Sequence, residues 1–334
     1  MARNRVIYQS EALFVGPVAG GAGTAHSELH RVQSISHDMS ANRTDIFEFG
    51  RLAALDKVMI EAPTVSLDFS YLLTNGENEK NIGLIVEGQS TEYPSTNTFY
   101  KAGNLPNCTS GIIAHPGGSY DEKNYYAVTV PEGYDADDDD DETWDASTWN
   151  SRSVVGFGNA VLTNYSINGA VGDFASASAS FEAFNVSFIS GAPAAGAGDW
   201  VEGAVPSVVK GRDTMRGDTF TLPNPGTGLQ SVFAIRPGDI LLDFASYLSK
   251  DDNVTLGVGG AVLPGGADPD NEQEGASAPE PMHVQNFSID MPLSRTALTR
   301  LGSTFPYYRA IDFPLNVTMN VSALLADVST GNLV

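Results

Sequence analysis

Two histidines four apart, a run of five aspartates, glycine-rich loops and a lone cysteine are the residues here whose spacing could do chemistry. HSELH puts His26 and His30 where a helix would bring both imidazoles to one face. The glutamate, however, stands in the wrong place for the HExxH zinc motif, and a Gly-rich loop precedes the segment. Asp137 to Asp141 could gather calcium, because hard cations take several carboxylates. The run lacks the alternating Asp-x-Asp-x-Asp-Gly spacing with a distal bidentate Glu, so it reads as a solvated charge run. GPVAGGAGT lacks the Gly-Lys-Ser/Thr ending that grips phosphates, and no G-x-S-x-G elbow occurs. Cys108 lies in the polar stretch NCTSG without a partnered histidine signature. No catalytic constellation assembles from these pieces, so the expectation is a protein that is not an enzyme, with no cofactor and no metal.

The bulk composition bounds the fold class. Its 334 residues suffice for two ordinary domains or one large β domain with insertions, and 42% hydrophobic content supports a sizeable core. With 34 Gly, 18 Pro and abundant Ser, Thr, Val and Asn, many short strands joined by turns are expected. A net charge of −23 argues against a wrapped, phosphate-neutralising contact with nucleic acid. One cysteine excludes an internal disulfide framework. MARNRVIYQSEALFVGP has no apolar signal-peptide core, and no run is long and apolar enough to span a membrane, so folding in a cytoplasm is expected.

Period-two alternation is the clearest local signal. In TVSLDFSY, Val65, Leu67, Phe69 and Tyr71 share one face, and Thr64, Ser66, Asp68 and Ser70 share the other. In LNVTMNVSA, Leu315, Val317, Met319, Val321 and Ala323 oppose Asn316, Thr318, Asn320 and Ser322. One dry and one wet face is the antiparallel pattern. These strands close a longer repeat: 32–73 aligns without a gap with 284–325, an offset of 252 at which about 12 of 42 positions are identical. Val32/Val284, Asp38/Asp290, Arg43/Arg295, Gly50/Gly302 and Ser70/Ser322 are among the pairs, which suggests duplication. Each copy reads as a strand (with His37 on its apolar face), a short turn or helix (RTDIFEFGRL; RTALTRLG) and a second strand. A looser relative at 165–188 has a strand, a Gly-rich bend and a Ser-alternating strand. The acidic 131–150, the Gly/Pro/acid-rich 257–281 and the linker-like 190–198 read as loops, and 231–244 reads as two strands turning at Pro237-Gly238.

VQSISHDMSANRTDIFEFGRLAALDKVMIEAPTVSLDFSYLLTNGENEKNIG resembles the opening unit of the major tail tube proteins of long-tailed bacteriophages, with its "NGxNE..IG" turn. FGNAVLTNYSINGAVGDFASASASFEAFNV is similar to their central unit, and the RPGDI turn at 236–240 fits the same pattern; together these cover about half the chain. The resemblance implies a mainly β fold: tail-tube β-sandwich or barrel domains with short helices, internally duplicated. It places the first domain at 1–160 and the second at 161–334, with 131–150 and 257–281 as insertions. It also implies a virion tail component made in the host cytoplasm, whose strands join between subunits into one barrel. The rings would be trimers with pseudo-sixfold symmetry, alternatively hexamers, stacked into a tube. The implied partners are further copies, the tape-measure protein, tail terminator and baseplate proteins, and DNA in transient passage; no membrane is involved. On that basis Ser66, Asp68, Ser70, Asn316, Thr318 and Asn320 are expected to face the lumen, the alternative being ordinary solvent around a monomeric sandwich. The competing functions are another virion component (capsid decoration or neck) and a monomeric calcium- or carbohydrate-binding β-sandwich.

Overall fold

The computed structural model of the chain describes residues 10–18, 26–74, 76–84, 122–130, 153–190, 206–209, 234–236 and 284–323. Cys108, the stretches at 131–150 and 257–281, the linker beyond Ser190 and most of 231–244 lie outside the described residues. The fold is mainly β, built around one ten-stranded antiparallel sheet.

The longest strand is its spine. In chain order the elements are β1 (Ser10–Pro17), β2 (Ser27–Leu29), β3 (Val32–Ser40), β4 (Arg43–Ile46), β5 (Asp56–Met59) and β6 (Thr64–Leu72). Then come helix α1 (Glu77–Ile82), β7 (Glu122–Val130), β8 (Ser153–Ala170), β9 (Ser176–Ala183), β10 (Asn185–Ser190), β11 (Val284–Pro292), β12 (Arg295–Leu298), β13 (Tyr308–Ile311) and β14 (Thr318–Ala323). One edge of β8 carries β9 and β10 in succession, and the other carries β7 at its start and β11 at its end. The second half of β8 therefore sits inside a six-strand run, β3-β6-β9-β8-β11-β14. Its first half belongs to a second arm, β2-β1-β7.

Between the halves β8 bends at Asn159, a buried residue in the left-handed region (φ 53), opposite a register shift between Lys123 and Tyr125. A bulge of this kind adds twist and bends the strand. The bend lets the β1/β7 arm close over the dry face of the six-strand run, so one sheet supplies both layers. Tyr125 of β7 packs against Phe181 of β9 (4.6 Å between centroids) and Phe69 of β6 (6.0 Å), and Phe69 stacks on Phe181. Leu13, Val15, Leu29, Val65, Leu67, Tyr71 and Leu162 complete the core. Full burial of each large apolar side chain contributes roughly 1.5–3 kcal/mol.

The duplication extends to the structural elements. At the same offset of 252, β3 corresponds to β11, β4 to β12, β5 to β13, and β6 to β14. Both first strands carry the same irregularity (Val32/Ser34; Val284/Asn286), and both loops turn on a glycine of positive φ, Gly50 at 95° and Gly302 at 89°. Even the closing hydrogen bond is shared, Leu55 N–H to the Ile46 carbonyl and Tyr307 N–H to the Leu298 carbonyl.

Several expectations are corrected. RTDIFEFGRL and RTALTRLG begin β-hairpins, β4–β5 and β12–β13, rather than a turn or helix. The NGENEKNIG "turn" is helix α1, held between glycines of positive φ at 76 and 83. His26 and His30 flank strand β2 and share no helix; His26 is buried edge-on against Tyr126. The last strand starts at Thr318, so Asn316 precedes it. Residues 160 and 161 lie inside β8, just past its bend at Asn159.

Candidate functional site

The wet face of the six-strand run is the most organised polar surface among the described residues. Paired residues in an antiparallel ladder point the same way, so the register defines its rows. One row runs Ser34–Ser70–Ser178–Ser166–Asp290–Thr318 across all six strands. Another runs Ser36–Asp68–Ser180–Asn164, and a third runs Ser176–Asn168–Ser288–Asn320. Asp38 faces Ser66, which faces Glu182. Hydroxyls bridge strands directly: Ser34 Oγ to Ser70 Oγ at 2.6 Å and Ser166 Oγ to Ser178 Oγ at 2.7 Å.

Of the residues singled out from the sequence, Ser66, Asp68, Ser70, Thr318 and Asn320 lie on this face; Asn316 is exposed but outside any strand. The periodicity reading missed Ser36, Asp38, Ser178, Ser166, Asn168, Ser288 and Asp290, although the same alternation runs through SISHDMS, YSIN and FSID. Among the described residues no lysine or arginine stands at a paired position of the face, while Asp38, Asp68 and Asp290 do; Glu182, also on it, is taken up by an ion pair with Arg309. The reverse side is predominantly apolar: Ile35, Leu67, Phe69, Ala179, Ile289 and Met319, with His37 and Tyr165 among them, alternate with the polar set, buried over the central strands and exposed at His37 and Met319. His37 sits there as expected, its ring edge-on to Phe157.

Two buried polar clusters hold this face in shape. Helix α1 delivers Glu79 beneath the sheet, where the Tyr71 and Tyr165 hydroxyls donate to its Oε1 at 2.8 and 3.0 Å. Burial first, then the neighbouring hydroxyl and the Glu79 carboxylate, hold the Tyr71 phenol far above its ordinary range. Burial and then Glu79 do the same to Tyr165. From the same helix Asn78 clamps the β2–β3 turn, accepting from His30 N–H (2.8 Å) and donating to the His30 carbonyl (2.7 Å). The second cluster forms at the bend. Asn159 N–H donates to Asn124 Oδ1, its Nδ2 to Glu122 Oε2, and its Oδ1 accepts from Val208 N–H. Arg309, 4% exposed, donates to the Asn159 and Glu182 carbonyls, pairs with the Glu182 carboxylate at 3.1 Å, and lies 3.8 Å over the Phe184 ring. Leaving any of these groups unpaired would cost about 1–3 kcal/mol.

Among the described residues no group of three or more His, Cys, Asp or Glu gathers as a metal site. What the arrangement offers instead is an extended hydrated wall, backed by a dry core.

No family model matches the chain, and no curated protein matches it. Solved structures overlap part of it. A chain of the sheath/tube terminator of PVC, an extracellular contractile injection system, in its extended state, is 10% identical. That overlap covers 57% of this chain and 99% of the other, with a TM-score of 0.31. A chain of the anti-feeding prophage tube-terminating cap is 10% identical over 57% of this chain and 94% of that one, with a TM-score of 0.30. The PVC sheath–tube complex gives 8%, 57% and 94%, with a TM-score of 0.29. With TM-scores this low, these likenesses lend no weight to a shared fold or role.

Proposed function

We propose that the chain is a structural virion protein: a self-assembling subunit whose six-strand polar face lines the water-filled lumen of a phage tail tube and passes DNA during ejection. One observation carries the reading. Rows of Ser, Thr, Asn and carboxylate side chains cross every strand of the run, and among the described residues no cation stands at a paired position. An acidic, hydroxyl-rich wall solvates a channel and repels phosphates, so a duplex slides without being held. A pore wide enough for DNA needs more strands than one chain supplies, because barrel diameter grows with strand number.

The strand order supports a ring. The second copy of the repeated unit enters the sheet four strands after the first, and every pairing is antiparallel, so β11 runs in the same direction as β3. An even displacement with strand direction kept is what rotation about a tube axis requires. Two units per chain make a trimer of pseudo-sixfold symmetry the natural closure, with the division near 160/161 falling at the bend of β8 and stacked rings as the polymer. The residue-level resemblance to tail tube proteins points the same way and brings the tape-measure, tail terminator and baseplate proteins as expected partners.

Negative-stain microscopy and native mass measurement of the purified protein test this. Rings of three chains and hollow stacked polymers are the expected outcome. A chain that stays monomeric at high concentration, its polar rows open to bulk solvent, would falsify the proposal.

A further inference from the structure

We infer that the β4–β5 hairpin is a docking arm for a second copy of this chain, and that the chain's own second unit displays the seat it takes; the inference rests on the assembly proposed above. The two units share sequence, strand register and loop geometry, yet their hairpins end in different surroundings. In the second unit β11 pairs with β8, and the β12–β13 hairpin then lies against the β8–β9 strands. Leu293 is fully buried, Ile311 is buried, and Leu293 N–H donates to the Thr163 carbonyl. Arg295 Nε donates to the Leu162 carbonyl, and Arg309 fills the seat made by the Asn159 and Glu182 carbonyls, the Glu182 carboxylate and the Phe184 ring.

In the first unit the edge of β3 corresponding to the one β11 presents to β8 meets no strand among the described residues. The consequence is visible residue by residue. Lys57 corresponds to Arg309, Met59 to Ile311 and Arg43 to Arg295; all three first-unit residues are exposed. Every residue of β4 and β5 is exposed, and Lys57 reaches only Asp45 within its own hairpin. Ile46, Phe47, Leu55, Val58, Met59 and Ile60 are exposed as well, more apolar surface than a hairpin in water needs to show. The occupant follows from the sheet order. The second unit docks on the β8–β9 pair that precedes it. The first unit is preceded by no described pair, and in a closed ring the preceding pair belongs to the neighbouring chain. A second copy therefore supplies strands for the β3 edge and, beyond them, acceptor oxygens for Lys57 and an apolar seat for Met59.

The test is assembly of the full chain carrying Lys57→Glu with Met59→Asp, beside Lys57→Arg and the wild type, read by sedimentation velocity and electron microscopy. Both positions are exposed in the single chain, so circular dichroism and thermal melting of the double variant should match the unassembled wild type. The expected result is a critical concentration for polymers raised about tenfold or more in the double variant, while Lys57→Arg, the cation used in the second unit, assembles like the wild type. Wild-type polymers accompanied by equal polymers from the double variant would overturn the docking arm and leave assembly standing. A wild-type chain that never assembles would overturn both.

Discussion

Tyr71, Tyr165 and Glu79 meet where helix α1 crosses the dry side of the sheet, and ionisation of the two phenols bears on how the fold responds to alkali. Folding favours the neutral phenols, because burial raises Tyr71, Tyr165 and the fully enclosed Tyr125. Unfolded tyrosines ionise near about 10, so above that pH the unfolded chain loses protons first and stability falls; below it the contribution is fully present. Lys123 works with the opposite sign: burial lowers its pKa, so stability gains with pH up to the ordinary lysine value of about 10.4. Tyr71→Phe removes one titrating phenol and one of the donors to Glu79. It is expected to cost about 1–3 kcal/mol at neutral pH and to flatten the alkaline loss, measured by urea melts followed by circular dichroism from neutral to strongly alkaline pH. Unchanged stability and an unchanged alkaline slope would refute the account. Glu79 was not legible in the sequence. Alternation marks Tyr71 as inward, but nothing in NGENEKNIG says which of its acids turns beneath a sheet. The same holds for Arg309, whose partners lie more than a hundred residues away.

Element boundaries divide along the same physical line. Strands β3, β6, β9, β11 and β14 were readable because each has one wet and one dry face, and a period of two is hard to mistake over several residues. The hairpins β4–β5 and β12–β13 were not: their strands are four residues long, and β4–β5 has no buried side to impose alternation. The long β8 was readable in its second half and obscured in its first by Gly156 and Gly158, where neighbours approach too closely for a side chain, and by the buried polar Asn159. A Cβ on Gly158 would stand 2.3 Å from the Pro206 carbonyl oxygen, whereas one on Gly169 would meet the Phe287 ring edge at 2.4 Å. Backbone cannot swing aside and a phenyl ring can. Gly158→Ala is therefore expected to cost about 1–3 kcal/mol by pushing the 206–208 segment off Asn159, and Gly169→Ala to cost less. Thermal melts of the two variants check this, and an equal or reversed order would show that the bend tolerates more than its geometry suggests.

At the scale of the whole molecule, the duplication could be read from sequence, but its meaning could not. Two matching segments at opposite ends of a chain do not say that they occupy equivalent places in one sheet; that follows only once β8 and β9 are seen to stand between them. Placed there, the units give the polar rows a continuity no single strand has, and in the proposed assembly the charge of those rows would become a property of the whole ring. Ser166 and Ser178 sit at its middle, paired across β8 and β9 and joined by their hydroxyls. Replacing both with lysine adds cations where the face now carries only hydroxyls, amides and carboxylates, without touching the dry core or the β3 edge. Tubes of the double variant should therefore form with wild-type dimensions. If the face lines a lumen as proposed, the variant wall would attract the backbone that the acidic wall repels, so DNA should be retained in or on the tubes at low salt and released as salt rises, the dependence expected for phosphate contacts. A phage carrying the variant should eject more slowly at low ionic strength and recover at high. Retention of DNA by the wild-type tube to the same degree, or a variant indifferent to salt, would mean that these rows face something other than a passing duplex.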